Sequence, residues 1–252
     1  MTVGTLYAEL EQRIPRSLSC DWDNDGLMCC PDLTAEVKKV LVALDVTGDT
    51  VRTAVEGGYD LIVSHHPMIF RPLRALDPGN YVARRAMELT HAGVSVMSFH
   101  TRLDAVAGGV NDTLAELLGL RDVTPFGEGI GRVGTLDNAY TLCKFAETVK
   151  SVTGAPAVLC GDAGLPVRRV ALLGGSGSDD VPAALAAGAD TYLSGELAYH
   201  HLADAREMGI NLLAAGHFHT ENPVCRTLSG MLTAIDPALT VDLYDSNRTT
   251  LI

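Results

Sequence analysis

"VKKVLVALDVTGDTVRTAVEGGYDLIVSHHP" (37–67) aligns without a gap on "VRRVALLGGSGSDDVPAALAAGADTYLSGEL" (167–197), at a constant offset of 130. Val37 and Val167, Val40 and Val170, Gly58 and Gly188, Asp60 and Asp190, and Ser64 and Ser194 coincide. Each copy reads as an apolar strand, an amphipathic helix stopped by glycine, and a second apolar strand, which is the pattern of a βαβ unit. Further on, at an offset of 117, "HTRLD" (100–104) falls on "HFHTE" (217–221), each after an apolar strand, "VSVMSF" and "INLLAAG". Shared strand and helix grammar yields chance matches in Val and Gly. It does not readily yield a matching histidine and acid after matching strands. The chain therefore reads as α/β, with two related α/β lobes from an internal duplication, layered α/β/α.

The Gly- and Pro-rich stretch "VTPFGEGIGRVGTLDN" (123–138) is the natural divide, giving lobes over 1–125 and 126–252. With 252 residues, 47% of them hydrophobic, the chain can bury a sizeable core or form two modest domains. "MTVGTLYAELEQRIPRS" reads as an amphipathic helix without the apolar segment of a signal peptide, and no run approaches the roughly 18 apolar residues of a membrane span. A cytoplasmic protein without a membrane partner is expected. The six cysteines show no CxxC spacing and read as reduced structural thiols. A net charge of −12 without a block of Lys or Arg speaks against a nucleic-acid partner, because neutralising phosphates needs clustered cations.

His65, His66, His100, Asp104, His217 and Glu221 all fall just beyond strand ends, where open α/β sheets bind ligands. Imidazole with carboxylate is a donor set for Zn²⁺, Mn²⁺ or Fe²⁺, whereas all-oxygen sets favour Mg²⁺ or Ca²⁺. Neighbours in a strand point to opposite faces, so His65 and His66 share a site only where the strand ends; Pro67 supplies that ending. At such an exit the rings diverge along one rim, and each can serve a different ion of a pair. Asp104 alone reads equally well as a turn cap, but with His100 and the His217/Glu221 counterpart the metal reading is stronger. His217 and Glu221, at i and i+4, share one face if "HTENPVCRTLSGML" begins as a helix; Pro223 favours instead a start near 220–222, with Glu221 held by its first amides. "LLGGSGSDD" (172–180) lacks both the P-loop ending and the dinucleotide spacing, so a tight turn is the default, with an anion on its amides as the alternative.

Six motifs run in order through nearly the whole chain: "DWDNDGL" (21–27), "SHHP" (64–67), "HTRLD" (100–104), "GGSG" (174–177), "SGE" (194–196) and "GHFHTE" (216–221). In these the sequence resembles the dinuclear-metal-centre proteins, also called NGG-one-interacting-factor-three-like proteins or type 2 GTP cyclohydrolase homologues. By that resemblance His65, His66, Asp104, His217 and Glu221 match positions that bind two divalent metal ions, and His100 matches a histidine beside them. It also implies a ring-shaped homohexamer with the metal sites facing an internal cavity, and the short form without an inserted domain. Met28-Cys29-Cys30 departs from the polar or small continuation expected after "DWDNDGL".

Two functions of different class follow. The first is metal-dependent hydrolysis of a small nucleotide-like or phosphate-bearing substrate, with His100 as the catalytic proton carrier and Ser176 and His219 against the substrate. The second is a non-catalytic ring that holds or delivers metal, or scaffolds a partner. Five ligands for two ions leave room for water, which tilts the balance towards catalysis. Zn, Fe and Mn all suit the donor set.

Overall fold

The apolar runs fold as strands and the periodic stretches between them as helices, over residues 1–250 described by the computed structural model. In chain order these are α1 (Val3–Arg13), β1 (Gly26–Cys29), β2 (Lys39–Ala43), α2 (Gly48–Glu56), β3 (Leu61–Ser64), α3 (Tyr81–Ala92), β4 (Ser95–Ser98) and α4 (Thr101–Ala105). There follow α5 (Val110–Leu117), β5 (Arg121–Phe126), β6 (Gly131–Tyr140), α6 (Leu142–Thr153), β7 (Leu159–Gly161) and β8 (Val167–Ser176). The last are α7 (Val181–Ala186), β9 (Thr191–Glu196), α8 (Tyr199–Met208), β10 (Asn211–Ala214), α9 (His217–Glu221), α10 (Val224–Ile235) and β11 (Thr240–Tyr244). No helix among the described residues is long and apolar enough to cross a membrane.

Two compact units result, one of Met1–Val106 with Val224–Thr250 and one of Ala107–Pro223. They differ from lobes over 1–125 and 126–252 at both ends. The stretch 123–138 is no linker: β5 and β6 pair antiparallel, and Gly127 and Gly129, at φ 65° and 88°, turn the chain between them. The C-terminal segment returns to the first unit, where β11 pairs parallel with β2.

In the first unit the sheet runs β1-β4-β3-β2-β11, parallel except for β1 at the edge. Thr47 and Thr50 form a capping box at the start of α2, and Asn80 caps α3, which stops at Gly93 with φ 76°. These helices turn Val51, Ala54, Ala86 and Leu89 onto a row of strand residues, Leu41, Ile62 and Val96. Full burial of each large apolar side chain contributes roughly 1.5–3 kcal/mol.

In the second unit the order is β5-β6-β8-β9-β10-β7, with β8, β9 and β10 parallel. Successive residues of each strand face opposite layers. Val170, Leu172, Leu193 and Leu213 pack with Leu114, Phe145 and Val149 of α5 and α6. Ala171, Tyr192 and Leu212 pack with Val181, Ala184 and Ala205 of α7 and α8. This unit is thus an α/β/α sandwich.

The repeat survives at atomic level. Val40 pairs with Leu61 as Val170 pairs with Thr191, and Ala43 pairs with Ser64 as Leu173 pairs with Ser194. In each unit an antiparallel edge strand, β1 or β7, flanks the third parallel strand. Asp60 accepts hydrogen bonds from the Lys38 and Lys39 amides at 2.8 Å, and Asp190 accepts from Arg168 and Arg169 at 2.8–3.1 Å. One carboxylate thus ties the first strand's start to the second in both units. Asp60→Ala and Asp190→Ala should each cost about 1–2 kcal/mol. Denaturant midpoints read this, and a change within the error of neutral surface substitutions in both variants would contradict the shared role.

Candidate functional site

Strand β3 ends at Ser64, so the two residues after it lie beyond the sheet. The turn is held by Ser64, whose hydroxyl donates to the His66 carbonyl at 2.9 Å and meets the Ser98 hydroxyl at 2.8 Å. His65 is buried and His66 half-buried. Their ring centroids lie 4.9 Å apart, and that of His100 lies 5.3 Å from His65 and 5.7 Å from His66. One ring nitrogen from each of the three comes within 4.8 Å of the others.

Each of these imidazoles engages an oxygen through Nδ1. His65 Nδ1 lies 2.9 Å from the Phe99 carbonyl, which can only accept, so the proton is on Nδ1 and the Nε2 lone pair is left as the donor atom for a metal. His66 Nδ1 sits 2.7 Å from Asp45 Oδ1, and His100 Nδ1 sits 2.9 Å from Asp23 Oδ1. An oxygen on the far nitrogen is the arrangement that fixes tautomer and ring orientation in metal-ligating histidines. Asp104 follows His100 by four residues on α4, and its Oδ1 lies 3.7 Å from His65 Nε2.

The acids behind the rings are themselves anchored. Asp45 Oδ2 accepts from the Ser246 hydroxyl at 3.0 Å, so the returning C-terminal segment reaches the His66 pair. Asp23 Oδ2 accepts from the Thr101 amide at 3.0 Å and hydroxyl at 2.6 Å. Burial opposes the Asp23 charge, but the hydrogen bonds from His100 and Thr101 outweigh it and hold the carboxyl down at about 2. Arg102, fully buried, bonds Asp25 at 3.0 Å, Glu11 at 2.6 Å and the Ile14 carbonyl at 3.0 Å, pinning α4 to α1 and to the 20–25 loop.

In the second unit the equivalent turn is α9. It begins at His217, ahead of the 220–222 start that Pro223 suggests, and Pro223 separates it from α10. Thr220 stabilises this short turn: its hydroxyl donates to the Gly216 and His217 carbonyls and accepts from the Gly175 amide at 3.0 Å. Glu221 therefore closes the helix, away from the free N-terminal amides. His217 Nε2 and Glu221 Oε2 are 3.1 Å apart, and His217 Nδ1 is 3.4 Å from Glu196 Oε1.

The "GGSG" turn packs beneath this pair. A Cβ on Gly175, which has φ 70°, would collide with the Glu221 carboxylate, and one on Gly174 would lie 3.1 Å from Glu221 Cγ. Its glycines thus make room for Glu221. Ser176 is exposed at the end of β8, opposite Glu196 in register, and His219 lies half-buried on α9 with its ring against Phe218. Sequence reasoning does not single out Asp23, Asp45 or Glu196. The "DWDNDGL" motif and the strand-end position of Asp45 are the signals that point to the first two.

Neutral imidazoles oriented through Nδ1 beside carboxylates fit a divalent first-row ion. In metal-free protein, Asp23→Asn should destabilise the fold at neutral pH. A depressed carboxyl stabilises above its ordinary value, near 3.8, and loses that contribution as pH falls towards about 2. The gap between native and variant stability should therefore narrow through that window. A gap that stays constant from pH 5 (roughly a unit above the ordinary carboxyl value) to about 2 would contradict it.

The Duf34/NIF3 (NGG1p interacting factor 3) profile matches residues 1–250. A GTP cyclohydrolase 1 type 2 homolog of Clostridium perfringens is 35% identical over 232 residues, covering 89% of this chain and 88% of that protein. The protein NIF3 homolog of Schizosaccharomyces pombe is 32% identical over 222 residues, covering 81% and 79%. The crystal structure of a Bacillus cereus protein related to NIF3 superposes with a TM-score of 0.90 over 100% of this chain and 99% of that one, at 23% identity.

Proposed function

We propose, from the premise that this chain belongs to the Duf34/NIF3 family, that it is a metal-dependent hydrolase of small nucleotide-like or phosphate-bearing substrates. The observation that carries the reading is the Nδ1 contact of His65, His66 and His100, which leaves Nε2 of His65 as a lone-pair donor and favours the same tautomer in the other two. In this reading His65, His66, Asp104, His217 and Glu221 are the ligands of two divalent ions, of Zn, Fe or Mn type. Bound ions would supply Lewis acidity towards a phosphoryl or carbonyl oxygen and make water a better nucleophile near neutral pH.

The chain's own residues do the rest. Asp23 fixes the His100 ring so that Nε2 takes or gives the proton at the reacting group. Glu196 stands near His217 Nδ1 at 3.4 Å, a looser contact than the 2.7 Å bond by which Asp45 orients His66. Ser176 and His219 stand as the residues that meet substrate. The relatives' cyclohydrolase name supports hydrolysis of a nucleotide as one member of this class. A ring-shaped homohexamer belongs to the same proposal, and light scattering in solution tests it. One observation favours a second reading. His100 lies close enough to His65 and His66 to act as a third imidazole ligand, and a site closed in that way suits a protein that holds or delivers metal.

His65→Ala combined with Glu221→Ala should abolish metal uptake while leaving the circular dichroism of the folded chain intact. Retention of two equivalents would show the ligands to be misassigned. Metal affinity of the native protein should fall as pH drops through the histidine range around 6.5, because protons compete for the imidazoles. A titration flat from about pH 7 to about pH 5 would count against three histidine ligands. Hydrolysis of nucleotides and phosphoesters, lost on chelation and restored by reloading, would separate the hydrolase from the metal-holding reading.

A further inference from the structure

The single tryptophan of the chain, Trp22, stands 64% exposed, and Phe70 beside it stands 45% exposed. Large apolar side chains left in water are ordinary when scattered singly and informative when they lie together. These two do: their centroids are 6.2 Å apart, and each presents a near-perpendicular plane to His100, Trp22 at 6.2 Å and 76°, Phe70 at 6.0 Å and 90°. Three mutually crossed rings thus meet at the edge of the histidine cluster.

Polar anchors hold the two loops that carry these rings. On the residue after Trp22, Asp23 is bound to His100 and Thr101. The next residue, Asn24, donates its side-chain amide to the carbonyl of Ile69, the neighbour of Phe70. The Cys20 amide donates to the Thr101 hydroxyl at 3.0 Å. The backbone is therefore tied down on both sides of Trp22 and immediately before Phe70, while the rings themselves stay uncovered. Pre-ordered apolar faces of this kind lower the entropy cost of taking up a flat ligand.

Charge narrows the ligand further. Arg71 and Arg74, on the same loop as Phe70, are exposed, and neither forms a side-chain hydrogen bond or ion pair with a described residue. In a chain of net charge −12, uncommitted arginines one and four residues beyond Phe70 suit an anion, above all a phosphate gripped in bidentate fashion.

We propose that Trp22 and Phe70 form a subsite that stacks the heterocycle of a nucleotide, with Arg71 and Arg74 receiving its phosphate. This deepens the hydrolase reading and rests on it for the identity of the turnover site. The ring then selects the substrate, and phosphoesters without a base are poor ligands. Stacking of a base on an aromatic side chain is sequence-tolerant, so several nucleotides should bind with similar strength.

Trp22 reports on its own occupancy, because no other indole contributes to the emission. Metal-loaded full-length protein titrated with guanosine or adenosine monophosphate should show saturable quenching, and ribose phosphate should bind at least about fivefold more weakly. Phe70→Leu should weaken nucleotide binding by about five- to fiftyfold. Arg71→Ala with Arg74→Ala should bring the nucleotide down to the affinity of its nucleoside. Equal binding of ribose phosphate and nucleotide, or an unchanged affinity in Phe70→Leu, would overturn the subsite. So would emission that responds to protein concentration and not to nucleotide, which would mean that a second copy of the chain covers the rings. Metal content measured on the same samples separates the two claims. Quenching without bound metal sinks the hydrolase reading alone, and bound metal without quenching sinks the subsite alone.

Discussion

The arrangement rests on what each imidazole does with its Nδ1. His65 gives it to the Phe99 carbonyl, His66 to Asp45 and His100 to Asp23, at 2.7–2.9 Å. Three rings with centroids 4.9–5.7 Å apart would otherwise sample several tautomers and rotations. With Nδ1 committed, each ring has one orientation and one other nitrogen to offer. Much of the first unit can be understood as support for those three contacts. β4 delivers Phe99, the 20–25 loop delivers Asp23, and β2 delivers Asp45, which the C-terminal return secures through Ser246.

The second unit solves the same problem with different parts. Its parallel strands keep the register of the first, so that β10 ends where β4 ends in the corresponding sheet, and a short helix follows each. Histidine and acid stand four residues apart in both, as His100/Asp104 and His217/Glu221. Where the first unit surrounds its imidazoles with carboxylates from separate loops, the second clears space with glycine. Gly175 admits the Glu221 carboxylate so closely that a Cβ there would displace it, and a Cβ on Gly174 would press on its Cγ at 3.1 Å. Duplication thus preserved the backbone frame while the supporting shell diverged.

Much of this was legible in the sequence, for a physical reason. Buried parallel strands are short continuous apolar runs, and two matched pairs of them at a constant offset seldom arise without duplication. The histidines and acids stood out because they followed those runs. What escaped lacked a local signature. A hairpin turned by Gly127 and Gly129 has the composition of a linker, and only the pairing of β5 with β6 tells them apart. The return of β11 to β2 joins residues about 200 apart, beyond the reach of any window. The helix from His217 was one of two readings the sequence left open, and what decides for it is tertiary: the Thr220 hydroxyl meets the Gly175 amide, while Pro223 marks the start of α10. The roles of Asp23 and Asp45 were hidden for the same reason: the first stands in a quoted motif and the second at a strand end, but neither position shows which histidine the acid will meet.

In the proposed function the duplicated frame and its histidines hold two metal ions. The most direct test is the metal content of untagged full-length protein purified without chelator, measured by mass spectrometry against protein concentration. Close to two equivalents of a first-row divalent ion per chain is the predicted result. One equivalent or none, unchanged after reloading with Zn²⁺, Mn²⁺ or Fe²⁺, would contradict the paired centre.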